Sequence, residues 1–379
     1  MATVGRAIVV LGMHRSGTSS VTGLLERCGV WLGRESEMTG ASSQNPKGFF
    51  ERRDLRNICD ALLFSVAADW WRIADFGADR IPQATLSEEG ARFASLAAKM
   101  SVHGTWAVKE PRLCLLFPLL RQYLDDPICL IVYRDPLAVA KSLRTRNGFS
   151  LFHGLALWET YMRAALTASE GYPRVIVSYD RLIAGPADEV EALIAGLGGH
   201  GVKDLAVNPQ VVDFISPQLS REARSTNEAE AFLSQTQRQL WTALSSGEGL
   251  SEEAAGPSSA RTSLVLKDFE LQQDKLRETM AHTRDAVKEA RKKAALDAEI
   301  RKERKVAVQA LAELEARNEV IRALRRQLRR AREEPMKSLR RKYATRLLRV
   351  LADSPLPFSD RRRAALRRAA ETRDPRRND

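Results

Sequence analysis

The chain contains no run of 18 or more apolar residues, so no membrane-spanning helix is indicated. Its four cysteines, Cys28, Cys59, Cys114 and Cys129, show neither CxxC nor CxH spacing. That argues against a zinc site and against a disulfide framework. The N-terminal apolar stretch is only about seven residues long, and a Gly/His/Arg cluster follows where a signal peptide would carry its cleavage site. These absences set the expectation of a reducing, cytoplasmic protein. Glycine and proline are missing altogether from residues 264–334, where 33 of the 71 residues are charged. A segment of that kind has no turn chemistry and reads as one long helix.

What is present divides the chain. The 379 residues are 44% hydrophobic, which is ordinary for a folded domain carrying an appendage. The net charge of +12 is uneven: residues 1–263 carry −2 and residues 264–379 carry +14. We read a domain over 1–247, a Ser/Gly/Ala/Glu-rich linker over 248–263, a charged helix over 264–334 and an Arg-rich tail over 335–379.

In the first region short β-branched runs alternate with helical patterns. Ala7–Leu11, Trp106–Lys109, Ile128–Tyr133 and Arg174–Ser178 read as strands. Helices are expected over Ser19–Cys28, from Pro136 through Leu137–Arg144, over Leu155–Ala168 and over Ala187–Leu197. Such alternation predicts an α/β fold with a central parallel sheet between two helical layers.

The helical region carries an imperfect apolar seam. Phe269, Leu276, Met280 and Val287, then Ala290 and Ala294, share one stripe. Leu311, Leu314, Asn318, Ile321, Arg325 and Leu328 share another, and Asp297–Lys305 between them has none. A coiled-coil-like helix that self-associates or recruits a partner protein is expected, against a solvated helix held by i,i+4 pairs. Pro335 should stop it. Beyond it, Leu339, Tyr343, Leu347, Leu348 and Leu351 could form one face of a short basic helix lying on the inner face of an anionic membrane. Nucleic acid is the less favoured partner for these arginines.

Gly12-Met13-His14-Arg15-Ser16-Gly17-Thr18-Ser19 follows the first strand and opens the first helix. A strand–loop–helix turn of small residues aims several backbone N–H groups and the helix dipole at one point, making an anion cradle. The spacing is that of a Walker A loop, yet Thr18 stands where the lysine for β- and γ-phosphates belongs. ATP with Mg²⁺ therefore fits poorly, whereas a ligand with a 5′-phosphate and no γ-phosphate needs no such lysine. The second element, ICLIVYRDPLAVAKSL at 128–143, delivers Arg134 at a strand end and Ser142 on the following helix. Both can reach one phosphate, and strand carboxyl ends are where open α/β sheets bind ligands. The fold expected is thus a three-layer, P-loop-like α/β domain with a central parallel sheet, then the long α-helical segment and the basic tail.

RSGTS after the first strand, followed by YRDPLAVAKSL, resembles the sulfotransferase superfamily, whose members use 3′-phosphoadenosine 5′-phosphosulfate. The resemblance spans roughly residues 5–245, and Asn45–Glu51 (NPKGFFE) and Val108–Arg112 (VKEPR) are similar to segments of the bacterial carbohydrate-type branch. It implies that the first motif binds the 5′-phosphosulfate and that Arg134 and Ser142 bind the 3′-phosphate. Arg15 stands where many relatives have lysine; it would clamp the leaving group as a charge and donor. Ser16 and the N–H groups of Gly17, Thr18 and Ser19 would hold the 5′-phosphate, with no metal. Ser178-Tyr179-Asp180-Arg181 resembles a Tyr-acidic pair of the family and is read as structural.

Sulfuryl transfer also needs a base for the acceptor proton. Glu51, Glu110, Glu37 and His14 are candidates between which the sequence does not choose, and His14 would serve equally as a donor to the sulfuryl oxygens. Lys109 is expected to point into the crevice. Trp70, Trp71, Trp106 and Trp158 could stack on a ring, though core packing is the simpler reading of each. The resemblance implies transfer to a carbohydrate or glycolipid hydroxyl or amine. The rivals are a P-loop kinase and a nucleotide-binding coiled-coil scaffold.

Overall fold

The computed structural model describes residues 6–40, 48–203, 205–207, 209–215, 231–256, 258–333, 337–355 and 357–373. Four strands, β1 (Ala7–Leu11), β2 (Trp106–Lys109), β3 (Ile128–Tyr133) and β4 (Arg174–Ser178), form a parallel sheet in the order β2-β1-β3-β4. Val9 lies opposite Val108 and Cys129, and Ile131 opposite Ile176. Every residue of β1, β2 and β3 is buried. Continuous apolar strands are what a sheet covered on both faces requires.

Alternate residues feed two cores. Val9, Leu11, Val108, Cys129 and Ile131 pack with α2 (Arg53–Phe64), α3 (Gln83–Ser101), α4 (Leu113–Leu120), α5 (Pro136–Asn147) and α6 (Leu151–Ala168). Ile8, Val10, Leu130, Val132 and Val177 pack with α1 (Thr18–Arg27), α7 (Tyr179–Ala184), α8 (Pro186–Gly199) and α9 (Pro209–Phe214). The three-layer α/β architecture is therefore as the alternation indicates. The chain leaves β1 toward β2 and leaves β3 toward β4, on the other side. The carboxyl ends of the adjacent β1 and β3 thus flank the switch point where such sheets bind ligands.

Helix ends follow capping chemistry more closely than apolar spacing. Asp135 accepts the Ala138 N–H at 2.7 Å, and Gly148 at φ 72° closes α5, three residues beyond the expected Arg144. Ser150 accepts the His153 N–H at 3.1 Å, so α6 starts at Leu151 and not at Leu155. Helices α2, α3, α4, α9 and α10 (Gln235–Ser246) have no counterpart in the sequence reading.

The stretch read as a flexible linker, 248–263, differs from that expectation. It holds α11 (Leu250–Ala255), and it docks on α6. The buried Glu159 accepts from Ser259 N at 2.7 Å and from Thr262 Oγ1 at 2.5 Å, while Arg163 meets Glu253 at 2.7 Å. Glu159 and Arg163 of α6 pair with these polar groups of the stretch, and composition alone does not reveal that.

Contacts divide the chain into Met1–Arg277 and Glu278–Asp379, with the long helix α12 (Ala260–Glu333) running from one into the other. Its beginning belongs to the first unit. Leu266 is buried in the core, and Phe269, expected on a coiled-coil seam, stacks on His153 with ring centroids 3.7 Å apart. Neither ring nitrogen of His153 has a hydrogen-bond partner among the described residues, and burial pushes the imidazole down to about 4. Below an unfolded-state value of about 6.5 the unfolded chain takes up a proton that the folded chain refuses. Stability should fall by on the order of 3 kcal/mol between pH 6.5 and 4 from this group. Denaturant midpoints measured across that range test it, and His153→Gln should flatten the slope; an equally steep slope in the variant would assign the loss elsewhere.

In the second unit α12 exposes Met280, Val287, Leu311, Leu314 and Leu328. The basic tail holds the short helix expected there and a second helix after it. α13 (Lys337–Asp353) is paired with α14 (Asp360–Glu371). Thr345 Oγ1 donates to the Arg373 carbonyl at 3.1 Å, Arg363 to the Ser354 carbonyl at 2.9 Å, and Arg367 meets Asp353 at 2.9 Å. Tyr343, Leu347, Leu348 and Leu351 are half-buried, so the face assigned to a membrane takes part in a hairpin. Pro335 and the side chain of Leu339 lie outside the described residues. No helix among the described residues is long and apolar enough to cross a membrane.

Candidate active site

The loop between β1 and α1 is pressed against its surroundings. A Cβ at Gly12 would lie 2.3 Å from the Val132 carbonyl oxygen, and the Gly12 N–H donates to Cys114 Sγ at 3.1 Å. Arg15 has φ 71° and Gly17 φ 89°. These left-handed residues turn the chain so that α1 starts at Thr18, with its N-terminus at the loop. The Tyr179 ring lies against Gly17, where a Cβ would come within 2.0 Å of Tyr179 Cδ2. Ser16 is fully buried, and its Oγ has no hydrogen-bond partner among the described residues.

Arg134 and Ser142 reach this loop from β3 and α5. Arg15 Nε donates to Ser142 Oγ at 2.9 Å, and Arg134 Nη1 donates to the Arg15 carbonyl at 3.3 Å. Two stretches about 120 residues apart in sequence thus meet at one point. The Ser178–Arg181 segment braces them. Asp180 accepts the Asp135 N–H at 2.7 Å and lies 3.9 Å from Arg134 Nε, while the Arg134 guanidinium sits 5.2 Å from the Tyr179 ring centre.

Lys109, at the carboxyl end of β2, is almost wholly buried; its Nζ donates to Glu51 Oε1 at 2.6 Å and to Ser19 Oγ at 3.2 Å. Glu51 therefore adjoins the first turn of α1. Asn45, Pro46 and Lys47 of the NPKGFFE segment lie outside the described residues. Glu110 is engaged differently. Arg112 Nε meets its Oε1 at 2.9 Å and Arg112 Nη2 its Oε2 at 3.1 Å, and Arg112 also pairs with Asp60. Burial, with the charge of Glu51 behind it, pushes the Glu110 carboxyl up, and Arg112 opposes that rise. Glu37 is occupied by Arg52 at 2.9 Å and by the Arg34 N–H at 2.9 Å, so its carboxyl is held down, the hydrogen bond from Arg52 contributing most.

His14 lies beneath the loop joining α2 to α3. Its ring centre is 4.7 Å from that of Trp70 and 6.1 Å from that of Tyr161, whose hydroxyl donates to the Trp70 carbonyl at 2.6 Å. Burial, then the charges of Arg112, Lys109, Arg146 and Arg15, hold the imidazole well below its ordinary range. It is thus neutral at pH 7, and its Nε2 is buried without a hydrogen-bond partner among the described residues. Trp106 and Trp158 are core residues, 2% and 0% exposed, and offer no ring face to a ligand. The sequence reading missed Tyr161, Asp60 and Cys114 as supports of the site, since none stands in a motif. Among the described residues no group of three or more His, Cys, Asp or Glu is placed to hold a metal ion.

No family model matches the chain, and no curated protein does. Among solved structures it is similar to the sulfotransferase domain of the Synechococcus PCC 7002 olefin synthase, at 14% identity and a TM-score of 0.32, over 70% of this chain and 95% of that one. It is also similar to the sulfotransferase STF9 of Mycobacterium avium, at 14% identity and a TM-score of 0.35, over 64% of this chain and 76% of that one. STF1 of Mycobacterium tuberculosis H37Rv matches at 14% identity and a TM-score of 0.35, over 68% of this chain and 78% of that one.

Proposed function

We propose that this site moves the sulfuryl group of 3′-phosphoadenosine 5′-phosphosulfate to a hydroxyl or amine of a carbohydrate or glycolipid acceptor. The observation that carries the reading is the meeting of Arg134 and Ser142 with the Arg15 loop. One small ligand bearing phosphates at both ends would span those groups. The unpaired buried Ser16 hydroxyl fits a donor to a ligand oxygen, because such a group otherwise costs about 1–3 kcal/mol.

In the reaction the acceptor oxygen or nitrogen attacks sulfur, the bond from sulfur to the bridging phosphate oxygen breaks, and the acceptor proton passes to a base. Charge grows on the 5′-phosphate oxygen that leaves. Arg15 and the N–H groups of Gly17, Thr18 and Ser19 would hold that oxygen, and Arg134 and Ser142 the 3′-phosphate. Arg15 cannot deliver a proton and acts by charge. Glu51 is our choice of base: Lys109 ties it to the first turn of α1, whereas both oxygens of Glu110 are engaged by Arg112. Lys109 orients Glu51 and lies close enough to Ser19 to meet a sulfuryl oxygen. Neutral His14 carries one donor nitrogen and suits a hydrogen-bond donor to a sulfuryl oxygen better than a base, because burial and the surrounding cations oppose its protonation. The half-buried Trp70 ring beside it supports a ring-bearing acceptor such as a sugar.

Titration calorimetry with adenosine 3′,5′-bisphosphate in chelator tests the reading. We expect binding without metal, weakened about 10–100-fold by Arg134→Ala or Ser142→Ala, as loss of charge-assisted hydrogen bonds implies. Binding of ATP that depends on Mg²⁺, with none of the bisphosphate, would replace this reading by a kinase.

A further inference from the structure

Helix α12 reads from its sequence as an appendage set off from the first domain by a linker. Its first turns reach the candidate site through the loop Asp69–Phe76 between α2 and α3 and through Phe149. On one side of that loop Trp70 covers His14. On the other, Arg72 forms a two-pronged pair with Asp274 at 2.6 and 2.5 Å. Glu270 accepts the Ala74 N–H at 2.8 Å, and the Phe269 ring meets Trp71 at 5.8 Å and Phe149 at 5.2 Å. Phe149 in turn packs 5.7 Å from Trp70. Arg277 lies over the other indole, 5.8 Å from its centre.

We propose that Ala260–Arg277 is a strap that positions the tryptophan wall of the site, with Phe269, Glu270 and Asp274 as positioning residues that hold Trp70 on His14. Asp69–Phe76 contains no helix or strand. Its backbone needs outside partners, and α12 supplies a carboxylate for the Ala74 N–H and another for the Arg72 guanidinium. Tyr161 holds the loop from within through the Trp70 carbonyl. Glu270 is half-buried and Asp274 more open, so the hold combines a desolvated contact with an exposed one. The long helix is in this way part of the site, and the unit that binds ligand does not end at residue 247.

The strap does not depend on the transferred group, and its test uses neither donor nor acceptor. Full-length Phe269→Ala and Asp274→Asn are compared with Met280→Ala, a change at an exposed position of the same helix beyond the strap. Two readouts are taken: amide hydrogen exchange over 69–76, and the NMR titration of the His14 imidazole, assigned with His14→Asn. The groups facing that imidazole are Arg15 from its own loop, Lys109 and Arg112 at and beyond the end of β2, Arg146 from α5, and the Trp70 and Tyr161 rings. We expect exchange at Ala74 to rise by about tenfold or more and the His14 midpoint to move up, with the control unchanged. Where Phe269→Ala unfolds the chain, Asp274→Asn alone decides. Faster exchange confined to 260–277, or an unmoved His14 midpoint, would overturn the proposal. Failure to bind adenosine 3′,5′-bisphosphate would sink the proposed function and leave the strap standing.

Discussion

Replacing Arg15 by alanine is expected to lower sulfate transfer by about 10²–10³-fold, the effect of removing one preorganised donor from a developing oxyanion. Backbone strain does not account for the loss. Arg15 sits at φ 71°, and alanine would bear about the same 1–2 kcal/mol there, so the comparison isolates the side chain. The carbonyl that accepts from Arg134 remains, so the approach of β3 to the loop should persist. What goes is the guanidinium that now reaches Ser142 Oγ at 2.9 Å. Arg15→Lys keeps the charge but loses the planar fork, and should fall between the two. Labelled-sulfate transfer to an acceptor extract, with circular dichroism to verify folding, measures both. A folded Arg15→Ala protein with undiminished transfer would remove Arg15 from the chemistry.

The parts of this molecule legible in sequence are those whose cause is local. AIVVL and ICLIVY are strands because both faces are covered, and uninterrupted apolar runs record that fact. The spacing of Arg134 and Ser142 works because a strand end and the second turn of a Pro-started helix present both to one point. Tertiary causes left weaker marks. Phe269 keeps the same period whether it packs on a partner helix or on His153, so seam and core docking look alike. The 248–263 stretch has a linker's composition, yet a buried glutamate on α6 fixes it. Glu110 stands at a strand end, as a base should, but the arginine two residues on takes both its oxygens. In the tail, the face of α13 that suited a membrane also suits α14.

Gly17→Ala should be severely damaging for one added methyl group, abolishing measurable binding of adenosine 3′,5′-bisphosphate. Two costs combine. At φ 89° any Cβ is strained by about 1–2 kcal/mol, and this one would sit 2.0 Å from Tyr179 Cδ2, so the ring must move. Its backing is rigid: Tyr179 is buried, lies under the Arg134 guanidinium and precedes Asp180, which holds the Asp135 N–H that opens α5. Displacing the ring therefore disturbs at once both elements proposed to bind phosphate. Overpacking and strain together point to a stability loss of about 2–4 kcal/mol. Gly104→Ala supplies the control, since Gly104 has φ 79° but no atom within 4 Å of the place its methyl group would take. It should lose about 1 kcal/mol and no affinity. Adding Tyr179→Ala to Gly17→Ala removes the clash but leaves the strain and a cavity where the buried ring stood, so the double variant should lose less stability than the sum of the two single losses. Affinity should stay low, because the brace on Arg134 is gone. If the Gly17→Ala protein binds the bisphosphate as the parent does, the loop after β1 is not the cradle and the ligand lies elsewhere.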